Sequence, residues 1–153
     1  MKKLVGFAMV LGLILVLSGA AMAGDTTTTV AVSANVVGTC KFLTGGTLDF
    51  GKLDPSSGAD VGATASPTFW CTKNTSYTIT DDDGLHKSGT THRMEGPTAA
   101  DLIPYTFTYT STGTGQGRTS PITLTISGNV AYADYRDAAA GNYADTVTLT
   151  INP

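Results

Sequence analysis

Apolar and polar residues alternate along much of the chain with the two-residue period of strands that bury one face. The alternation is clearest over residues 76–80, 122–126 and 143–151, and turn-forming Asp, Asn, Gly and Pro residues separate such stretches. No convincing amphipathic helix follows residue 24. Six or seven short strands of this kind predict an all-β sandwich.

The segment over residues 26–34 has the pattern of a strand, although it lies close to the start of the predicted mature chain. Its alternating positions are Thr28, Val30, Val32 and Ala34. Val37 breaks this parity, and a pleated strand changes face only at a bulge, a bend or an end. We therefore predict one strand over residues 26–34 and the first strand of the domain over residues 36–42.

Residues 1–23 have the features of a secretory signal peptide. Lys2 and Lys3 precede an apolar run of about 14 residues, which is short of the roughly 20 that span a bilayer. The small residues Ala21 and Ala23 then form a signal-peptidase motif. We predict cleavage after Ala23, export of the chain, and no stable insertion in a membrane.

Charge and cysteine content narrow the class of protein further. Without Lys2 and Lys3, seven of the nine basic residues remain against twelve acidic ones, and they are scattered. This composition argues against nucleic acid as a partner. Cys40 and Cys71 are an isolated pair in an exported chain, which predicts a disulfide bond.

The sequence offers no candidate catalytic residue, metal ligand or cofactor site. His86 and His92 lie in turn-rich segments, which predicts exposed loop positions, and no Gly-x-Ser-x-Gly motif occurs. Residues 81–84 (DDDG) lack the spacing of an EF-hand loop and are interpreted as a solvated turn. The glycines of residues 113–117 precede no helix, so they do not predict a phosphate loop.

Aromatic residues with strand spacing allow two interpretations. Tyr105, Phe107 and Tyr109 share one face of a predicted strand, which favours a core position over a carbohydrate-stacking platform. Trp70 lies beside Cys71, and we expect it to pack against the disulfide, as in many sandwich cores.

Several short motifs occur in an order that resembles a known family. They are Cys40 with LDFG at 48–51, a second Cys before YTI at 77–79 and the acidic-Gly turn, PYTFTY at 104–109, LTISG at 124–128, and GNYADTV at 141–147. In this order the chain resembles the spore coat protein U domain, the fold of major subunits of archaic (Csu-type) chaperone–usher pili. The resemblance covers most of residues 28–153.

This resemblance implies an immunoglobulin-like sandwich that lacks its last strand and is completed by a donor strand from a neighbouring subunit. Residues 24–35 would be the donor extension, with Thr28, Val30, Val32 and Ala34 as donor positions, and residues 36–153 the pilin domain. Val147, Leu149 and Ile151 would line the acceptor groove.

The implied protein is a non-enzymatic structural subunit of a surface fimbria, exported through the periplasm and supporting adhesion and biofilm formation. Its implied partners are identical or related subunits, a periplasmic chaperone and an outer-membrane usher. Two alternatives stay open: a spore-coat or envelope structural protein with the same domain, and a secreted carbohydrate-binding sandwich whose own residues 26–34 fill its groove.

Overall fold

The computed structural model describes residues 24–153, and the predicted signal peptide lies outside this range. The described residues form ten short strands and one short helix. In chain order these are β1 (Cys40–Phe42), β2 (Val61–Ala65), β3 (Thr68–Cys71), β4 (Ser76–Asp81), β5 (His92–Glu95), β6 (Leu102–Thr108), β7 (Thr112–Thr114), β8 (Ile122–Thr123), β9 (Ile126–Val130), α1 (Tyr132–Tyr135) and β10 (Leu149–Asn152). No helix among residues 24–153 is long and apolar enough to cross a membrane.

The strands pair in three antiparallel sheets, in the orders β1-β3-β8, β10-β4-β7 and β2-β9-β6-β5. All three sheets contribute to one buried cluster, in which Phe69 of β3, Ile79 of β4 and Ile126 of β9 pack together. Apolar side chains on facing sheets are the defining arrangement of a β-sandwich. The prediction of an all-β sandwich is confirmed.

A corner explains why the predicted strand over residues 122–126 is two strands. The β2–β9 pair lies in one sheet and the β3–β8 pair in another. The chain therefore changes sheets at the same level in two places, between β2 and β3 and between β8 and β9. Pro67, which is buried, lies at this corner, and its carbonyl accepts a hydrogen bond from the Leu124 amide (2.8 Å). Proline has no N–H to donate, so a sheet ladder ends readily at such a position.

A second buried cluster includes Met94, Ile103, Val130 and Tyr135. Tyr135 belongs to α1, and its hydroxyl donates a hydrogen bond to the Ala59 carbonyl (2.6 Å). The sequence pattern does not predict this helix, because four residues make little more than one turn and cannot show a helical period.

The opening of the chain differs from the predicted strands. Residues 24–39 form neither helix nor strand, and the first strand is the three-residue β1 rather than residues 36–42. Residues 43–50 also form no strand, although their composition suggests one. An extended segment becomes a strand only when a neighbouring backbone pairs with it, and among residues 24–153 no such pairing is present at 26–34 or 45–50.

The disulfide between Cys40 and Cys71 is present, which confirms its prediction, and the two residues lie directly opposite each other in β1 and β3. The expected contact between Trp70 and this bond is wrong. Phe69 and Cys71 point into the core, so Trp70 between them points to the other face, where Arg118 lies 5.8 Å from its ring centroid.

Candidate functional site

An elongated groove of about 820 Å³ opens between two segments that do not pair with each other. One wall is residues 42–50, which we call the first wall, and the other is residues 143–149, the second wall. The floor is apolar and aromatic, and its lining residues include Met94, Phe107 and Ile126.

The first wall continues from β1 and soon loses its hydrogen-bond partners. The Leu43 and Thr44 amides both donate to the Thr68 carbonyl (2.8 and 3.3 Å). For residues 45–50 no backbone–backbone hydrogen bond is formed within the described chain. This wall is therefore a free edge, with N–H and C=O groups available to another strand.

Gly128 lets the first wall lie close to the floor. A Cβ at Gly128 would come within 2.6 Å of Leu48 Cδ2 and 2.9 Å of the Thr106 carbonyl oxygen, so glycine favours this close approach. The apolar alternation of Leu48 and Phe50 is the sequence signal for this wall. The predicted groove residues do not include either of them.

Along the second wall, half-buried and exposed residues alternate from Tyr143 to Ile151, with the odd-numbered residues inward. Ala144 exchanges two backbone hydrogen bonds with Glu95 (2.9 Å each). Residues 145–147 form no backbone–backbone hydrogen bond within residues 24–153. This wall, too, presents a free edge to the groove.

The structure places the predicted groove residues in two locations. Val147 and Leu149 line the groove. Ile151 lies farther along β10, opposite Ile79 of β4, and packs against the first buried cluster. At the predicted donor positions, Val30 and Val32 are 81% and 91% exposed, which is unusual for valine.

Tyr105, Phe107 and Tyr109 belong to the sandwich core, in agreement with the core interpretation of the aromatic stripe. The Tyr105 hydroxyl donates to Asp145 Oδ2 and the Tyr109 hydroxyl to Asp81 Oδ2, both at 2.7 Å. Burial, and then the hydrogen bond to each carboxylate, raises the pKa of both tyrosines. Both hydroxyls are therefore neutral donors with internal acceptors.

The predicted exposure of the two histidines is wrong for His92. His92 is buried on β5, where its ring stacks on Phe107 (centroids 5.1 Å apart) and its Nε2 lies 3.2 Å from Asp81 Oδ1. His86 is half-buried, with Nδ1 3.1 Å from Glu95 Oε2. The sequence pattern missed β5 because its four residues lie among turn residues.

The acidic turn at residues 81–84 is more than a solvated loop. Asp81, Asp83 and His92 each place one side-chain N or O atom within 4.8 Å of the others. Asp81 already accepts hydrogen bonds from Tyr109, the Asp83 amide and His92. The Asp82 carboxylate accepts from the Gly84 and Thr148 amides (3.0 and 2.9 Å). The turn is therefore fixed by hydrogen bonds to the domain.

We expect acid to destabilise the domain through these carboxylates. Burial raises the pKa of Asp81, but hydrogen bonds from Tyr109, the Asp83 amide and His92 outweigh it, so the pKa lies below the ordinary 3.8. The Thr148 and Gly84 amides lower the pKa of Asp82 in the same direction. A lowered folded-state pKa contributes stability above the ordinary value, and this is lost as the pH falls through the folded-state pKa.

The measurement is the free energy of unfolding in urea at several pH values. It should change little between about pH 7 and pH 5 and fall between about pH 4 and pH 2. Replacing Asp82 by Asn removes one titrating group and should shrink the fall. Equal free energies of unfolding at about pH 4 and about pH 2 would contradict the role given to these carboxylates.

These observations define a β-sandwich with an open, apolar groove between two free edges. The family model of the Spore Coat Protein U domain matches residues 26–150. The chain therefore belongs to the Spore Coat Protein U domain family, which confirms the resemblance stated from its motifs.

Two further comparisons were made with known proteins. No curated protein sequence matches the chain. Among solved structures, a similar one is the CsuC–CsuE chaperone–tip adhesion subunit pre-assembly complex from archaic chaperone–usher Csu pili of Acinetobacter baumannii. The identity is 19% and the TM-score 0.48, over 76% of this chain and 40% of that chain. This chain thus spans less than half of the length of the matched one.

Proposed function

We propose that this protein is a structural subunit of a surface fimbria that polymerises by donor-strand exchange. Residues 24–35 of one molecule would enter the groove of the next, and residues 36–153 would form the accepting domain. The observation that carries the proposal is the groove itself, which has an apolar floor and a free backbone edge on each side. A strand inserted there would complete the sheet.

The exposed N-terminal segment has the properties that such a groove requires. Every residue from 24 to 37 is exposed, and Thr28, Val30, Val32 and Ala34 share one face of an extended chain. Burying a valine side chain contributes about 1.5–3 kcal/mol. Each new backbone hydrogen bond adds roughly 1 kcal/mol.

Head-to-tail insertion is a heterologous contact that does not close, so it produces a filament. Before assembly, the open groove would need protection, and a periplasmic chaperone that lends a strand meets that need. An outer-membrane usher would then exchange the chaperone strand for the donor of the next subunit. The filament would lie outside the cell and support adhesion and biofilm formation, without catalysis.

The experiment is a gel assay for multimers that resist SDS, formed by the mature protein from the periplasm. We expect a ladder of multimers with the natural chain and its loss with Val30→Asp or Val32→Asp, because an aspartate cannot enter an apolar pocket without partners. Ala31→Asp is the matched control, since residue 31 is on the opposite face. A ladder that persists in both valine variants would overturn the proposal.

A second candidate is a structural protein of a spore coat or cell envelope, which the name of the family model favours. It uses the same strand exchange, so immunogold labelling of whole cells decides between the two by the position of the protein. The third hypothesis, a carbohydrate-binding sandwich, has less support, because the hydroxyls of Tyr105 and Tyr109 already donate to carboxylates in the core.

A further inference from the structure

The acidic turn and the second wall of the groove are joined at two points. At the first, the Asp82 amide donates to the Thr148 carbonyl (3.2 Å), and Asp82 Oδ1 accepts from the Thr148 amide (2.9 Å). The side chain of Asp82 thus takes the place of a backbone carbonyl and extends the β10–β4 pairing by one residue, at the point where β10 begins.

At the second point, Asp145 of the wall reaches back to the domain. Its Oδ1 accepts from the Leu85 amide (2.9 Å) and its Oδ2 from the Tyr105 hydroxyl (2.7 Å). Gly84 makes this approach possible, because a Cβ there would overlap the Asp145 carboxylate, and because its φ of +86° favours glycine. The turn sequence Asp82-Asp83-Gly84 therefore leaves the space that the Asp145 carboxylate occupies.

The two points enclose the stretch whose backbone is free. Residues 145–147 have no backbone–backbone partner within the described chain, and Val147 between the points faces the groove. A three-residue stretch anchored at both ends keeps an extended shape without a neighbouring strand. Such pre-ordering reduces the entropy that binding must otherwise remove.

We infer that Asp82 and Asp145 form a two-point clasp that holds the second wall in the conformation that accepts an incoming strand. Both are positioning residues, since each carboxylate has its hydrogen-bond partners within the domain and acts through the position of the wall. The inference rests on the proposed function for the identity of that occupant. The position of the wall itself does not depend on it.

The chain offers a matched control for removing the charge. Asp83 belongs to the same turn, but its carboxylate pairs with Lys87 Nζ (3.2 Å) rather than with the second wall. The variants are therefore Asp82→Ala and Asp145→Ala, with Asp83→Asn as the control, because Asp83 has a φ of +59°, which Asn tolerates better than Ala. Asp82→Asn is the conservative variant, because its amide oxygen can still accept from the Thr148 amide.

The first measurement is hydrogen exchange of the mature full-length chain, followed at the Thr148 and Leu85 amides. If the clasp holds one rigid segment, Asp145→Ala should speed exchange at Thr148, and Asp82→Ala should speed it at Leu85, by about tenfold, the factor at the lower end for a hydrogen bond to a charged group. Asp83→Asn should change neither amide. If each variant affects only its own contact, the two points are independent and the clasp is refuted.

The second measurement is the rate at which SDS-resistant multimers form. Asp82→Ala and Asp145→Ala should slow assembly by about tenfold, while Asp82→Asn and Asp83→Asn stay close to the natural rate. Retention of the Cys40–Cys71 bond and of the circular dichroism spectrum shows that the variants fold. Natural rates in both alanine variants would refute the positioning role.

The two measurements separate the failure of the clasp from the failure of the proposed function. If the natural chain forms no multimers, strand exchange is wrong, and the exchange of Thr148 and Leu85 alone then decides whether the clasp exists. If the natural chain assembles but the alanine variants behave like Asp83→Asn, the proposed function stands and the clasp is refuted.

Discussion

A mature chain that lacks residues 24–34 should form no SDS-resistant multimers, and it should stop the growth of filaments of the intact chain. Such a molecule keeps both walls of the groove, so it can accept a strand, but it has none to donate. The removed residues form no strand and are all exposed. We therefore expect assembly to fail while the sandwich remains folded.

The measurement is filament length by electron microscopy, with multimer ladders on gels, after mixing truncated and intact chains in increasing ratio. Lengths should fall as the truncated fraction rises. A chain with the order of residues 26–34 scrambled, so that Val30 and Val32 no longer share a face, is the control for segment length and should also fail to donate. Efficient multimerisation of the truncated chain alone would refute donor-strand exchange.

Replacing both Cys40 and Cys71 by serine should lower the free energy of unfolding by about 3–4 kcal/mol, the amount expected for a closed loop of roughly 30 residues. The cross-link constrains the unfolded chain. In the native protein it fixes β1, which has only three residues, against β3. The first wall begins where β1 ends, so loss of the bond should also loosen the groove.

Urea unfolding with and without a reducing agent measures this effect. Reduction should destabilise the natural chain by about the same amount as the double substitution, and it should leave the serine variant unchanged. A loss below about 1 kcal/mol would mean that β1 is held mainly by its pairing with β3.

The all-β class and the disulfide could be predicted from the sequence, because each depends on a local pattern or on the chemistry of the compartment. The alternation from Tyr143 to Ile151 also predicted which side chains point inward, and the structure agrees along that whole stretch. The predicted strand over residues 143–151 is too long, however. Only residues 149–152 pair as β10, since the backbone partner of residues 145–147 is absent.

The groove and its supports were less accessible to sequence reasoning. The sequence predicts Val147 and Leu149 as lining residues, but it does not identify residues 42–50 as the opposite wall. His92 is predicted in an exposed loop but is buried against Phe107. Leu85, which follows the acidic turn, has a partner 60 residues away in the chain, Asp145. No local period carries information about contacts over such distances.

The sequence by itself thus determined the strand-forming pattern, the inward faces, the pair of cysteines that join, and the exposed alternating segment at 26–34. The tertiary structure alone decided which edges remain without partners, how the strands change sheets at Pro67, and which distant residues Asp82 and Asp145 contact. The physical reason is that side-chain alternation fixes which face of a strand is buried. Which backbone lies beside it, or whether any does, depends on the packing of the whole domain.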